Sequence, residues 1–139
     1  MRDVFAGQRG NAVLRRLAGE QVIWLTTVGP DGQPVPSPVW FIWEGDSFLI
    51  YSRPDALKLR NISANPKVSL NLDGDGNGGE IVVVSGEAEV EQEAPAANEH
   101  VQYAARYSEG FNRLQMTPDQ FAEGYSVAIR VRPTAYRSY

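Results

Sequence analysis

Six short segments rich in β-branched and aromatic residues, each closed by turn residues, limit this chain's folding options more than anything else in it. They are residues 21–28, 35–44, 47–52, 68–72, 80–91 and 125–132, the last alternating cleanly as YSVAIRVR. Gly29-Pro30-Asp31-Gly32 and Glu44-Gly45-Asp46 supply the turn chemistry between the first three. One helix, residues 56–65, crosses between the third and fourth strands, with Asp55 placed to cap it and Pro66 to stop it. Three further helices flank the strands. Asn11 caps one that ends near Gly19 and sets Val13, Leu14 and Leu17 on one face. Residues 96–107 form the second. Thr117-Pro118-Asp119-Gln120, a capping box with proline at the first helical position, opens the third, which runs to Glu123. Residues 135–139 add a last extended piece. The pattern predicts a mainly β chain: a six-stranded antiparallel barrel with peripheral helices, one domain over residues 1–139.

The second strand is unusual. Pro36 and Pro38 cannot donate to a ladder, so its first half lies at an edge or bulge, its backbone open to something other than a neighbouring strand. Alternation then sets Trp40 on one face with Ile42, and Trp43 on the other with Phe41. One set fills the barrel, and the other needs cover from a helix, a partner chain or a planar ligand.

Composition removes several function classes. With no cysteine among 139 residues, disulfide scaffolds, thiolate nucleophiles and thiolate metal sites are excluded. A net charge of −4 argues against nucleic-acid binding, and no apolar run approaches the ~18 residues of a membrane span. We expect a cytoplasmic protein. Asp73-Gly74-Asp75-Gly76-Asn77-Gly78 copies the start of a calcium loop, but the twelfth position is Val84, inside a strand, so the segment reads as a hairpin. His100, the only histidine, has no partners at metal-ligand spacing and reads as a surface helix residue.

The charges are unevenly distributed. From Val68 to Ala105 there is no Lys or Arg, while eight acids accumulate; Arg53, Lys58, Arg60 and Lys67 gather just before, against Asp55 alone. An acidic chain that concentrates its cations in one segment has the makings of an anion site there, although a solvated basic helix has the same spacing. Tyr51-Ser52-Arg53 leaves a strand end and Lys58 follows in the next helix, so Ser52, Arg53 and Lys58 are placed to converge on one phosphate.

Tyr51-Ser52, Lys58 and Asn65-Pro66-Lys67-Val68-Ser69-Leu70 together resemble the phosphate-binding segment of the pyridoxamine-phosphate-oxidase-like flavin-binding split barrels. The strand Val35-Pro36-Ser37-Pro38-Val39-Trp40-Phe41, after the Gly32-Gln33-Pro34 turn, is similar to the one those proteins lay along the isoalloxazine ring. The resemblance covers residues 11–139, leaving 1–10 as an N-terminal extension. It implies a Greek-key split barrel and a homodimer with the cofactor in the cleft between subunits. By position it implies that Tyr51, Ser52, Arg53, Lys58, Arg60 and Asn61 surround the phosphate and that Pro36, Ser37, Val39 and Trp40 line the ring. Two departures set the chain apart from pyridoxamine-phosphate oxidation itself: Leu57 stands where those enzymes carry arginine, and Arg132-Pro133-Thr134-Ala135-Tyr136-Arg137 is not their substrate-binding segment. The remaining pattern is more similar to the deazaflavin (coenzyme F420) dependent branch. The expectation is an F420-dependent oxidoreductase acting on a small unsaturated or carbonyl substrate. An FMN-dependent enzyme of the same fold, and a protein that stores flavin, deazaflavin or haem, stand as alternatives. No general acid stands out, though Tyr51, Tyr103 and Tyr107 are candidate donors.

Overall fold

In a computed structural model that describes residues 3–139, the chain runs α1 (Gly7–Gly19), β1 (Val22–Val28), β2 (Pro34–Trp40), β3 (Ile42–Trp43), β4 (Phe48–Ser52), α2 (Leu57–Ala64), β5 (Lys67–Asn71), β6 (Val82–Val90), α3 (Val101–Arg106), α4 (Ser108–Arg113), α5 (Pro118–Gly124) and β7 (Val127–Ser138). The strands make one curled antiparallel sheet in the order β2-β1-β5-β6-β7-β4-β3. The two sheet edges, β2 and β3, are consecutive in the chain and separated only by Phe41. The sheet therefore curls until its edges meet at one residue, which is how a barrel built from this sequence closes.

That seam corrects the expected strand 35–44, which divides at Phe41 and makes seven strands where six were expected. Phe41 has no ladder partner. The Tyr107 hydroxyl supplies one, accepting from the Phe41 N–H at 2.9 Å and lying 2.8 Å from its carbonyl and 2.7 Å from that of Gln21. The proline reading of β2 agrees with the structure, since this strand pairs with β1 alone. Proline at every second position, 34, 36 and 38, leaves Val35, Ser37 and Val39 as the donors to β1 and keeps the outer edge unfit for another strand.

Two apolar cores result, and β4 separates them. Its Phe48 and Ile50 face the barrel interior with Ile23, Leu25, Phe41, Leu70, Val84 and Ile129. Its Leu49 and Tyr51 face a second core with Ile42 of β3 and with Tyr103, Tyr107, Phe111 and Phe121 from the helical segments. The alternation of the tryptophans is as expected: Trp43 packs on the first core and Trp40 on the second. Helices, not solvent, cover the Trp40 set. Gly110 in α4 makes this approach possible, because a Cβ there would lie 2.7 Å from the Trp40 ring.

Helix boundaries shift for identifiable reasons. α1 begins at Gly7, not at Asn11, and Gly10 lets the chain before it fold back so closely that a Cβ would meet the Phe5 carbonyl. Phe5 is thereby buried in the barrel core. Ala56, not Asp55, holds the cap position of α2, with no side-chain bond. The helix expected over residues 96–107 starts only at Val101 and is capped by His100, whose Nδ1 accepts from the Tyr103 N–H at 3.2 Å. His100 is therefore buried, not a surface residue, and its Nε2 faces Glu44 Oε2 at 3.4 Å. The capping box of α5 forms with both of its bonds. The extended piece at 135–139 is the end of β7, which passes a bulge opposite Ser85 and Gly86. Residues 72–81 connect β5 to β6, and among the described residues no acidic or histidine cluster could hold a metal ion.

Candidate functional site

A half-open cleft of about 350 Å³ lies where the end of β4, the start of α2 and the C-terminal half of β2 meet helices α3 and α5. Strand and helix chemistry explains its walls. β4 ends at Ser52, and Arg53 turns the chain through a bond from the Ala56 N–H to its carbonyl, so Lys58 comes back beside the strand end. Opposite stand Pro38, Val39 and Trp40 of β2, and the aromatic side is made by Tyr103, Phe121 and Tyr125.

Of the ten residues singled out from sequence, Val39, Trp40, Tyr51, Ser52, Arg53 and Lys58 line this one cleft. Pro36 and Ser37 lie further along β2, outside it. Arg60 is exposed on the far side of α2. Asn61 is buried and spends its amide on the Thr27 hydroxyl at 3.0 Å, tying α2 to β1. The cleft residues that sequence reasoning left off its site list are Pro38, Ala56, Tyr103, Leu114, Phe121 and Tyr125. Pro38 was legible from β2 itself. The aromatics of α3 and α5 come from about 50 to 70 positions further on, and no local pattern ties them to β4.

The electrostatics are one-sided. The cleft lining holds Arg53 and Lys58 and no carboxylate. Among the other cations, Arg16 pairs with Glu20 and Glu80, Arg130 with Glu44 and Glu91, and Arg132 with Glu89. Glu89 and Glu91 of the acidic run are thus answered by Arg132 and Arg130 of β7, and Arg53, Lys58, Arg60 and Lys67 are in no ion pair among the described residues. Lys58 is half-buried, and that burial pulls its ammonium below the usual lysine range. Arg53 lies over the Tyr125 ring, 5.5 Å from its centroid. The Ser52 hydroxyl donates to the Arg53 carbonyl at 3.0 Å and keeps lone pairs free.

The aromatic side is a column. Trp40 stacks on Tyr107 at 4.6 Å and 5° and on Phe121 at 5.3 Å and 16°, and Phe121 stacks in turn on Tyr125 at 4.3 Å and 9°. Both faces of Trp40 are occupied, so it offers the cleft its edge. Tyr51 donates its hydroxyl to the Pro95 carbonyl at 2.7 Å; burial, and then the Glu44 charge, push its phenol up to about 12. Tyr103 and Tyr107 are raised too, chiefly by burial. A raised phenol favours the protonated folded form, so this stabilisation is whole below pH 10 and lost as pH rises towards about 12. We expect Tyr51, Tyr103 and Tyr107 to resist ionisation at pH 10 in an alkaline absorbance titration, with unfolding accompanying their ionisation. Ionisation of these three at pH 10 in the folded protein would contradict the packing.

The cleft suits a planar, anionic molecule. Its volume is at the low end of the ~300–1,000 Å³ typical of ligand sites. The lining joins two cations without an acid to an aromatic wall.

A family model described as pyridoxamine 5'-phosphate oxidase matches residues 11–139. No curated protein matches the sequence. Among solved structures, an F420 reductase is 29% identical with a TM-score of 0.63, covering 88% of this chain and 94% of that one. A conserved hypothetical protein from Mycobacterium tuberculosis is 25% identical with a TM-score of 0.70, covering 99% and 88%. A haem storage protein from Vibrio cholerae shares the fold at 14% identity and a TM-score of 0.65, covering 92% of each.

Proposed function

This chain belongs to the pyridoxamine 5'-phosphate oxidase family, and from that premise we propose that it is a deazaflavin-dependent reductase. Its substrate would be a small unsaturated or carbonyl compound. The observation that carries the reading is the cleft in which Arg53 and Lys58 converge with no carboxylate beside them. When bound, coenzyme F420 supplies two-electron hydride chemistry; the protein holds it and orients it. Arg53 and Lys58 bind the phosphate through charge-assisted bonds, which are the strong class of such contacts, and Ser52 joins them when its hydroxyl turns its proton from the Arg53 carbonyl to the phosphate. Val39 and the edge of Trp40 position the ring, and the aromatic wall excludes water from its inner side.

The choice of deazaflavin over FMN rests on charge placement and on likeness. Arg60 and Lys67 continue the basic segment outside the cleft, which suits a phosphodiester with an acidic tail better than a compact phosphomonoester. The 29% identity to an F420 reductase supports the same choice. A haem-binding role is less well supported, because both His100 ring nitrogens are already engaged, one with the Tyr103 N–H and one facing Glu44. We also propose a homodimer with the cleft at the subunit boundary. Leu114, which lines the cleft, and Leu57, beside Lys58, are each 47% exposed, and this apolar surface at the mouth is what a partner chain would cover.

The test is a titration of the purified protein with F420 and with FMN, followed by ligand and tryptophan fluorescence. Tighter binding of F420 is the expected result. A preference for FMN moves the chain to the flavin-dependent alternative, and binding of neither removes the cofactor reading. Sedimentation at the same concentrations gives the dimer.

A further inference from the structure

Three tyrosines of the second core, of which Tyr51 and Tyr103 line the cleft, have hydroxyls with different fates. The Tyr51 hydroxyl is spent on the Pro95 carbonyl. The Tyr107 hydroxyl is spent on the Phe41 and Gln21 backbone at the seam. The Tyr103 hydroxyl has no partner at all, although Tyr103 is 0% exposed and lines the cleft. A buried hydroxyl without a hydrogen bond is costly, and a folded chain that keeps one has a use for it or a partner still to come.

We propose that Tyr103 is a specificity-determining hydrogen-bond donor, whose hydroxyl donates to a ring carbonyl of the planar cofactor held in this cleft; the proposal rests on the cofactor reading above. The surroundings favour a carbonyl. No acceptor of the protein reaches the hydroxyl, and its neighbours are rings: Tyr51 at 4.7 Å, Tyr107 at 4.9 Å, Phe121 at 6.2 Å and His100 at 6.5 Å between centroids. In that apolar setting a donor discriminates sharply between a ring edge that accepts and one that does not, since a mismatch leaves both groups unpaired. Phe121, the one of these neighbours carried by the short helix α5, also lines the cleft. Because the hydroxyl is buried, contact with a ligand requires its ring neighbours to shift, which joins ring binding to a local rearrangement of the aromatic column.

An orphan hydroxyl kept for a ligand has a signature that a structural tyrosine lacks. Tyr103→Phe removes the unpaired group and leaves the ring packing intact. The free protein is then expected to melt at the same temperature or higher, while affinity for F420, or for FMN if that is the ligand bound, falls about tenfold, the size of one neutral hydrogen bond. The measurements are thermal unfolding without ligand and the fluorescence titration with each probe. A lower melting temperature with unchanged affinity overturns the proposal and makes Tyr103 a core residue. Unchanged affinity with unchanged melting overturns it as well. If the unsubstituted protein binds neither probe, the cofactor reading fails first and takes this proposal with it. Lys58→Ala serves as the reference: a variant that loses affinity there while Tyr103→Phe does not upholds the cofactor reading and sinks this inference alone.

Discussion

Substituting both cleft cations, Arg53→Ala together with Lys58→Ala, is expected to weaken cofactor binding by roughly a hundredfold to a thousandfold while the protein folds as before. Each charge-assisted bond to a phosphate is worth ~1.5–3 kcal/mol, and ~1.4 kcal/mol is a factor of ten. Arg53 is exposed, so solvent screening holds its share near the lower bound and the pair near the lower half of the summed range. Folding is spared because neither side chain is in an ion pair or a side-chain hydrogen bond within the described residues; Arg53 loses only its contact with the Tyr125 ring. The same double variant should flatten the salt dependence of binding, since the screened charges are gone. Arg15→Ala, which removes one positive charge on the exposed face of α1, should alter affinity by less than threefold. Equilibrium titration at two ionic strengths measures all three. An unchanged dissociation constant in the double variant would falsify the anion site.

Why the cations were legible and the aromatic wall was not follows from the range of the interactions concerned. Ser52, Arg53 and Lys58 lie within seven residues, on a strand end, a turn and a helix start, so local geometry alone brings them together. Alternation is equally local, and it set Trp40 and Trp43 on opposite faces and the prolines of β2 at an edge. What spacing could not supply was pairing across the fold. Asn61 shares a helix with Lys58, yet it faces β1 and the Thr27 hydroxyl, because α2 packs with Ile62 against the barrel. His100 looked like a surface residue because its cap role depends on where α3 begins, and its burial depends on Glu44, 56 positions earlier. The break at Phe41 was invisible for the same reason. An unbroken run of strand-forming residues gives no sign that the sheet must close there.

That closure sets the second large effect, on stability. Tyr107→Phe is expected to cost the fold ~2–3 kcal/mol, and Tyr107→Ala ~4–5 kcal/mol or more. The phenylalanine variant keeps the ring and its stack on Trp40 but strips the one group that satisfies the Phe41 N–H, which is sealed in the core with Phe41 0% exposed. Leaving a buried backbone donor unpaired carries its full desolvation cost. Burial raises the Tyr107 phenol above the usual tyrosine range, so the hydroxyl keeps its proton for the carbonyl bonds at neutral pH. For a domain of this size ~1 kcal/mol moves the melting temperature by about 3–4 °C, so Tyr107→Phe should lower it by roughly 6–12 °C. The alanine variant also removes one face of the Trp40 stack, and Trp40 is a wall of the cleft. Its tryptophan emission should therefore shift, and its cofactor affinity should fall along with its stability. Tyr103→Phe, four residues earlier on the same helical segment, should leave stability unchanged or raise it. Two tyrosines whose rings lie 4.9 Å apart would then respond differently to loss of the same atom, because one hydroxyl closes the barrel and the other awaits a ligand.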